Sequence, residues 1–171
     1  MISGGGSYQR CTACTGSNAS AGSSDIAFTL NSASGATSIV VNYSTTINPL
    51  VEMVEYSFSG SSVSYDFGNN VDNTTSTTRT GVSLSSLTGS NDILYQIIAV
   101  NPAVIVSAIT SPYTSVTDVG AGYGFAAAAN STNGSAPTWT FNGNSQASGS
   151  AIAIAEGAGG STSTHHFARI F

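Results

Sequence analysis

The chain has 171 residues, including three arginines, no lysine and eight acidic residues, and its formal net charge at pH 7 is −5. A sequence without clustered basic side chains cannot neutralise phosphates, which excludes nucleic-acid binding and electrostatic attachment to anionic lipid. No apolar run approaches the roughly 20 residues of a membrane helix, so we expect no membrane insertion. With 40% apolar residues, the chain is expected to fold as one domain.

The first 24 residues are poor in apolar side chains and rich in glycine and serine. They predict a flexible N-terminal arm (residues 1–24) with room for one edge strand. The arm has neither the basic nor the apolar region of a signal peptide, so either the chain reaches its compartment by another route or the sequence starts inside a longer reading frame. The only cysteines, Cys11 and Cys14, lack the second pair of a zinc ribbon. We interpret them as thiols, with a local disulfide as the alternative.

Residues 25–157 alternate short apolar runs with turns rich in serine, asparagine and glycine, which predicts about ten strands and no helix. The polar stretch from Asn69 to Asn73 is expected to be a loop. The fold class that this pattern predicts is all-β: a two-sheet antiparallel β-sandwich, jelly-roll-like, with a flexible arm and tail. The predicted strands are 26–30, 38–44, 50–58, 62–67, 80–84, 93–100, 103–109, 120–129, 137–141 and 150–156.

The last segment, residues 158–171, begins as a linker rich in glycine and serine. It ends in His-His-Phe-Ala-Arg-Ile-Phe, whose composition differs from everything before it. We predict either a short docking segment or a disordered end. The predicted division is therefore an arm (1–24), a β-sandwich domain (25–157) and a linker with a tail (158–171).

Side chains for catalysis are scarce. The only histidines, His165 and His166, lie in the tail, and there is no lysine, so the predicted domain lacks the usual base for a serine nucleophile. Glu52 and Glu55 stand three residues apart on a predicted strand and point to opposite faces, which does not suit a carboxylate pair around one glycosidic bond. We predict that the protein is not an enzyme and that it uses no organic cofactor.

One metal is considered. Asp72, together with Asn69 or Asn70, offers the oxygen ligands that Ca²⁺ prefers. The spacing of an EF-hand is absent from the sequence. Calcium is therefore a possible cofactor, and no residue is assigned as a metal ligand.

Most aromatic residues fall at strand positions, where core packing is the expected role. Tyr113 lies in a predicted loop, Ser111-Pro112-Tyr113-Thr114, and is the best candidate for an exposed ring. Asp118 follows shortly after it. Tyr113 and Asp118 are therefore the predicted ligand-binding residues, with sugar stacking on the ring and hydrogen bonds from Asp and Asn side chains.

Asn-x-Ser/Thr sequons mark the positions where an N-linked glycan could be attached. Several are expected by chance in a chain so rich in asparagine, serine and threonine, and Asn42 falls in a predicted strand. Asn73, Asn130 and Asn133 fall in predicted loops and are the glycosylation candidates. The five sequons begin at Asn18, Asn42, Asn73, Asn130 and Asn133.

Residues 26–156 resemble a diffuse group of Ser/Thr/Ala-rich jelly-roll-like β-sandwich domains from bacterial surface, secreted or phage-associated proteins. The group often has Glu-Tyr-Ser-Gly in a central strand, whereas here Glu55-Tyr56-Ser57 is followed by Phe58 and the glycine is delayed to Gly60. The resemblance implies an extracytoplasmic or particle-surface role and no catalytic residues. The segments that carry it, in order, are 34–41, 54–57, 91–94, 122–124, 138–140 and 150–154.

The function predicted first is a non-enzymatic structural or adhesive module of a cell surface, an extracellular filament or a virion. Few charges mean little repulsion between copies, and edge strands without lysine pair easily. The predicted partner is therefore a second copy of the chain, with the arm and the tail available as donor strands. The alternative is a carbohydrate-binding module with a glycan as its partner. A hydrolase fragment is disfavoured because the predicted domain has no histidine or lysine.

Overall fold

The fold is described from a computed structural model of the chain. The structure describes residues 2–3, 8–12, 16–18, 22–29, 38, 40–42, 51–58, 63–84, 92–116, 122–130, 133–156 and 163–170. Within these ranges the chain forms strands and no α-helix, and the paired strands are antiparallel. The prediction of an antiparallel all-β chain is thereby confirmed.

The strands are short near the N-terminus and long in the second half of the chain. In chain order they are β1 (Ile2–Ser3), β2 (Gln9–Arg10), β3 (Gly16–Asn18), β4 (Gly22–Thr29), β5 (Val40–Val41), β6 (Val51–Phe58), β7 (Val63–Thr80), β8 (Ile93–Val104), β9 (Val106–Ile109), β10 (Thr114–Ser115), β11 (Gly122–Asn130), β12 (Thr138–Glu156) and β13 (Ser163–Ile170).

The larger sheet has the strand order β10-β11-β8-β12-β7, and β9 also pairs with β12. Strand β12 organises this sheet because it changes partner along its length. Its second half pairs with β8 from Gln146 to Ile154, whereas its start pairs with β9 from Trp139 to Phe141. Strand β7 follows β12 on its other side through both halves. The sheet is curled rather than flat.

The curl has a visible origin in two interruptions of the ladders. Residues 141–144 of β12 stand opposite Thr77 of β7, because Thr140 faces Thr78 and Ser145 faces Ser76. Residues 100–103 of β8 stand opposite Tyr123 of β11. The two interruptions lie at the same level of the sheet, since Gln146 pairs with Asn101. Extra residues in one strand bend it and increase its twist. We call residues 100–105, 122–124 and 141–146 the bend.

The smaller sheet has the order β2-β4-β13-β6, with β3 also paired to β4, while β1 and β5 pair separately. Strand β13 is thus an inner strand, with Phe167 opposite Phe28 of β4 on one side and Val54 of β6 on the other. Of the two alternatives for the tail, a docking segment agrees with this pairing. How the whole chain divides into arm, domain and tail stays a prediction.

The larger sheet is buried on both faces. The alternation of side chains along β8 sends Leu94 and Ile98 to one face and Tyr95 and Ile97 to the other. The main core lies on the first face and comprises Val82, Leu84, Leu94, Ile98, Val100, Val104, Tyr113, Phe125, Ala127, Trp139, Phe141, Ala147, Ala151 and Ala153. The inter-sheet core lies on the second and comprises Cys11, Ile26, Phe28, Tyr95, Ile97, Ala126, Ile152 and Ile154.

Small polar residues bring β4 close to β12 beside the inter-sheet core. Ser24 Oγ and Ser150 Oγ are 2.7 Å apart. The Ser148 hydroxyl donates to the Gly22 carbonyl at 3.2 Å, and the Ser150 hydroxyl donates to the Ser24 carbonyl at 3.3 Å. Hydroxyls that bond across the gap offset their own burial, so serine can replace apolar residues at this contact.

Three local predictions about strands are wrong. Only Thr80 of the predicted strand 80–84 lies in a strand, and residues 81–84 follow it outside any strand. The other two corrections lengthen strands. The predicted loop from Asn69 to Asn73 is part of β7, which runs unbroken from Val63 to Thr80. The predicted strands 137–141 and 150–156 are parts of the single strand β12. Residues 69–72 lie in a strand because β12 pairs with them, and β12 continues past residues 142–144 because β7 pairs with it on either side of them. Strand pairing outweighs the weak strand propensity of asparagine and glycine.

Candidate functional site

The predicted ligand-binding residue Tyr113 does not lie on the surface. Its side chain is 3% exposed and belongs to the main core. The loop that precedes it turns back onto the sheet, with the Tyr113 amide donating to the Thr110 carbonyl at 3.3 Å. The expectation of an exposed ring is therefore wrong, because this loop packs the ring against the main core of the larger sheet. Asp118 lies outside the described residues.

The Tyr113 hydroxyl belongs to a buried polar cluster centred on Gln96 of β8. Gln96 Nε2 donates to the Tyr113 hydroxyl at 2.9 Å and to the Val82 carbonyl at 2.7 Å. The Val82 amide donates back to Gln96 Oε1 at 2.8 Å. Burial raises the pKa of the Tyr113 phenol, and the hydrogen bond with Gln96 lowers it by less. The cluster holds segment 81–84 against the sheet, which is a structural role.

The three glycosylation candidates differ in their surroundings. Asn133 is exposed in a loop, and its Oδ1 accepts a hydrogen bond from the Ser135 amide at 3.0 Å. Asn73 lies within β7 and Asn130 ends β11, where it pairs with Ile93. The loop placement of Asn73 and Asn130 is therefore wrong, since both belong to strands of the larger sheet. Among the three, Asn133 keeps the setting that a modification site needs.

The first cysteine of the chain, Cys11, is not a free thiol. Cys11 is disulfide-bonded and 2% exposed, and its amide donates to the Ile26 carbonyl at 2.9 Å. The interpretation as thiols is wrong for Cys11, and the alternative of a disulfide describes it. Its place in the inter-sheet core shows that this part of the predicted arm packs against strand β4.

Two further features concern a metal site and a membrane-spanning helix. The described residues contain no group of three or more His, Cys, Asp or Glu side chains arranged to hold a metal ion. Asp72, considered for Ca²⁺, pairs through its backbone with Ala147, and the calcium prediction stays a prediction. Over the same ranges, no helix has the length and hydropathy that crossing a membrane requires.

The bend presents an exposed aromatic ring that the sequence analysis did not single out. Tyr123 is 62% exposed, compared with 51% for Val40 and 42% for Ile105. Regular alternation along a strand would place the rings of Tyr123 and Phe125 on one face, but the register shifts between Gly122 and Gly124. Phe125 enters the main core while Tyr123 faces solvent. The glycines on both sides of Tyr123 were the signal of this irregularity.

A second candidate feature is the outer edge of β7. This strand is terminal in the larger sheet, so among the described strands only β12 pairs with it. It has 18 residues and contains neither lysine nor proline. Thr75 and Thr77 are exposed on it. An edge of this length offers a row of backbone donors and acceptors to another strand.

Comparison with known proteins adds no functional assignment. No protein family model matches this chain, and no curated protein or solved structure matches it either. The β7 edge and the bend are therefore the structural features from which we propose functions.

Proposed function

We propose that this protein is a non-enzymatic structural or adhesive module that associates with further copies of itself through the outer edge of β7. The observation that carries the proposal is the length and composition of that edge. Soluble proteins commonly protect an edge strand with lysine, with proline or by keeping it short. Strand β7 has 18 residues and neither protecting residue.

The charge of the molecule supports the same proposal. The chain has 11 charged side chains among 171 residues, counting eight acidic and three basic ones. Two copies that meet along β7 bring together strands whose sequence holds Asp66, Asp72 and Arg79, and Arg79 is buried. Little repulsion opposes the contact, and backbone hydrogen bonds supply its attraction.

The fold and location that we propose follow from the resemblance and the packing together. The contact of β4 with β12 supports an arrangement of the two sheets as a jelly-roll-like sandwich. A surface of hydroxyls and amides with few charges suits the outside of a cell, a filament or a virion. We propose an extracellular or particle-surface location on that basis.

The test is the mass of the protein in solution across a concentration series, measured by sedimentation. The double variant Thr75→Lys/Thr77→Lys places two positive charges on exposed positions of the β7 edge. Its matched control, Ser83→Lys/Ser135→Lys, adds the same charge at exposed positions outside any strand. We expect assembly of the wild-type chain and of the control, and a monomer for the edge variant. A wild-type chain that stays monomeric, or an edge variant that assembles like the control, would refute the proposal.

A further inference from the structure

We propose that the bend is a binding site for a neutral glycan, with Tyr123 as the surface on which a sugar ring stacks. The site differs from the predicted one at Tyr113, whose ring is buried. It is also independent of the β7 edge, because Tyr123 lies on β11, on the other side of β8 and β12.

The Tyr123 ring is accessible to a ligand from solvent. The ring is 62% exposed, and its neighbours along the strand, Gly122 and Gly124, have no side chains to cover its faces. A tyrosine ring presents a flat apolar face and a polar hydroxyl. The C–H face of a pyranose is flat and apolar in the same way, with hydroxyls around its rim, so the two surfaces are complementary.

The second argument is the chemistry of the side chains at the same level of the sheet. Asn101 lies in the part of β8 opposite Tyr123, while Asn142 and Asn144 lie in the interrupted part of β12, and all three are exposed. A carboxamide donates and accepts hydrogen bonds, which matches sugar hydroxyls. A site that combines an apolar surface with a few placed polar groups is the usual arrangement for a small ligand.

One of these amides is held in a fixed orientation by the backbone of Ile105. The side-chain Oδ1 of Asn142 accepts a hydrogen bond from the main-chain amide of Ile105 at 2.8 Å. The main-chain amide of Asn142 donates to the Ile105 carbonyl at 3.0 Å. A polar group that is already ordered loses less conformational entropy when a ligand binds. Ile105 itself is 42% exposed and adds apolar surface beside Asn142.

The third argument concerns charge. The sequence of the bend, residues 100–105, 122–124 and 141–146, contains no Asp, Glu, Lys or Arg. A site for an anionic polysaccharide, a phosphate or a charged peptide would need at least one such group to offset the cost of desolvating the ligand. The bend therefore favours an uncharged ligand, and among uncharged biological polymers a neutral glycan fits a ring surrounded by carboxamides.

The experiment measures retention and affinity of the full chain on four neutral probes: cellohexaose, chitohexaose, maltohexaose and xylohexaose. Heparin serves as the charged probe. We expect binding to at least one neutral probe and none to heparin. Replacing Tyr123 by alanine should weaken binding about tenfold, which corresponds to about 1.4 kcal/mol, because the stacking surface of the ring is lost. Tyr123→Phe should stay within about threefold of wild type, because it keeps the ring.

Val40→Ala is the matched control, since Val40 is also exposed (51%) and lies on β5, outside the larger sheet. It should bind like the wild type. The thermal midpoint of Tyr123→Ala should equal that of the wild type, because the ring is outside both cores. No binding to any neutral probe, equal binding by Tyr123→Ala, or a preference for heparin would each overturn the proposal.

Binding by the Thr75→Lys/Thr77→Lys variant separates this proposal from self-association. The bend does not include β7, so a variant that no longer assembles should still bind the neutral probe with the affinity of one wild-type subunit. Loss of probe binding in that variant would place the ligand between copies instead and refute a site on the single chain.

Discussion

Gln96 shows how single residues complete a β-protein where no strand is available. It lies in β8 with 1% of its surface exposed, yet its side-chain amide pairs with both main-chain groups of Val82. A carboxamide carries the same donor and acceptor as a peptide group. The Gln96 side chain therefore pairs with Val82 as the backbone of a neighbouring strand would, and it holds segment 81–84 over the main core. The second N–H of its Nε2 donates to the Tyr113 hydroxyl.

The buried Tyr113 phenol makes the free energy of unfolding decrease at alkaline pH. Burial raises the pKa of its phenol above the usual value of 10.0. Above pH 10 the unfolded chain releases this proton and the folded chain retains it, so the unfolded state binds fewer protons and the free energy of unfolding falls as pH rises. The contribution is complete below pH 10 and is lost as pH rises towards the pKa of the folded state.

The corresponding prediction compares wild type with Tyr113→Phe by urea unfolding at pH 8, 10 and 11. Subtracting the free energy of unfolding of the variant from that of the wild type cancels the contribution of the other tyrosines, which both proteins share. Between pH 10 and 11 the wild type should lose up to about 1.4 kcal/mol more than the variant. At pH 8 the variant should be less stable by about 1 kcal/mol, because it lacks the acceptor for Gln96. Parallel pH profiles would contradict the assignment of the shift to Tyr113.

Gly81 is required by the closeness of segment 81–84 to its neighbours. A Cβ atom there would lie 2.5 Å from Gln96 Oε1 and 2.8 Å from Pro137 Cγ. Its amide also donates to the Pro137 carbonyl at 2.6 Å, which leaves little room to move away. Gly81→Ala should therefore lower the free energy of unfolding by about 2 kcal/mol or more.

Gly143→Ala provides the control for that substitution. A Cβ at Gly143 would have Val104 Cγ1 as its nearest neighbour at 3.7 Å, an ordinary contact. Its effect on the free energy of unfolding should stay below about 1 kcal/mol. Equal effects of the two substitutions, measured by urea unfolding, would show that closeness at Gly81 is not the cause.

At the scale of elements, the interruption in β12 is stabilised by a side chain of the opposite strand. Arg79 of β7 is 3% exposed and donates to the Thr78 carbonyl at 3.0 Å and to the Ser145 carbonyl. Ser145 in turn donates from its hydroxyl to the Pro102 carbonyl at 3.2 Å. These bonds satisfy the main-chain carbonyls of Thr78, Ser145 and Pro102 close to the point where the ladder is broken.

The sequence predicted the type of these elements well and their ends poorly. Apolar runs such as 93–100 identify strands because burial on both faces requires a continuous apolar sequence. The turn-like sequence Asn142-Gly143-Asn144 predicted an end to a strand, but β7 pairs with β12 before and after it, while β9 pairs before it and β8 after it. Pairing partners are distant in the chain, and local composition carries no information about them.

The candidate sites show the same limit at two tyrosines. Tyr113 follows a proline in a polar loop, and its local sequence predicted exposure; the loop instead covers an apolar face. Tyr123 alternates with Phe125, and its local sequence predicted burial, which a register shift reverses. In both cases tertiary packing determines the exposure of the side chain, and the local sequence does not show which surface a segment packs against. The open edge of β7 could not be recognised before the strand order was known.

For the whole molecule, β13 determines how the smaller sheet holds together. It is the strand that joins β4 to β6, so removing it separates these two strands. A chain that ends at Glu156 should therefore lose stability, and amide protection against hydrogen exchange should fall in β4. A synthetic peptide of residues 157–171 should restore that protection. Unchanged protection of β4 in the shortened chain would contradict the role of β13.

The position of β13 also fixes an order of events during synthesis. The ribosome delivers β4 and β6 early, but the strand that separates them contains residues 163–170. Until that segment leaves the exit tunnel, each of the two early strands has a row of hydrogen-bonding groups without its final partner. A nascent chain in this state can accept a strand from a neighbouring nascent chain on the same messenger. The pairing of β4 with β6 through β13 therefore has to wait until residues 163–170 have been synthesised.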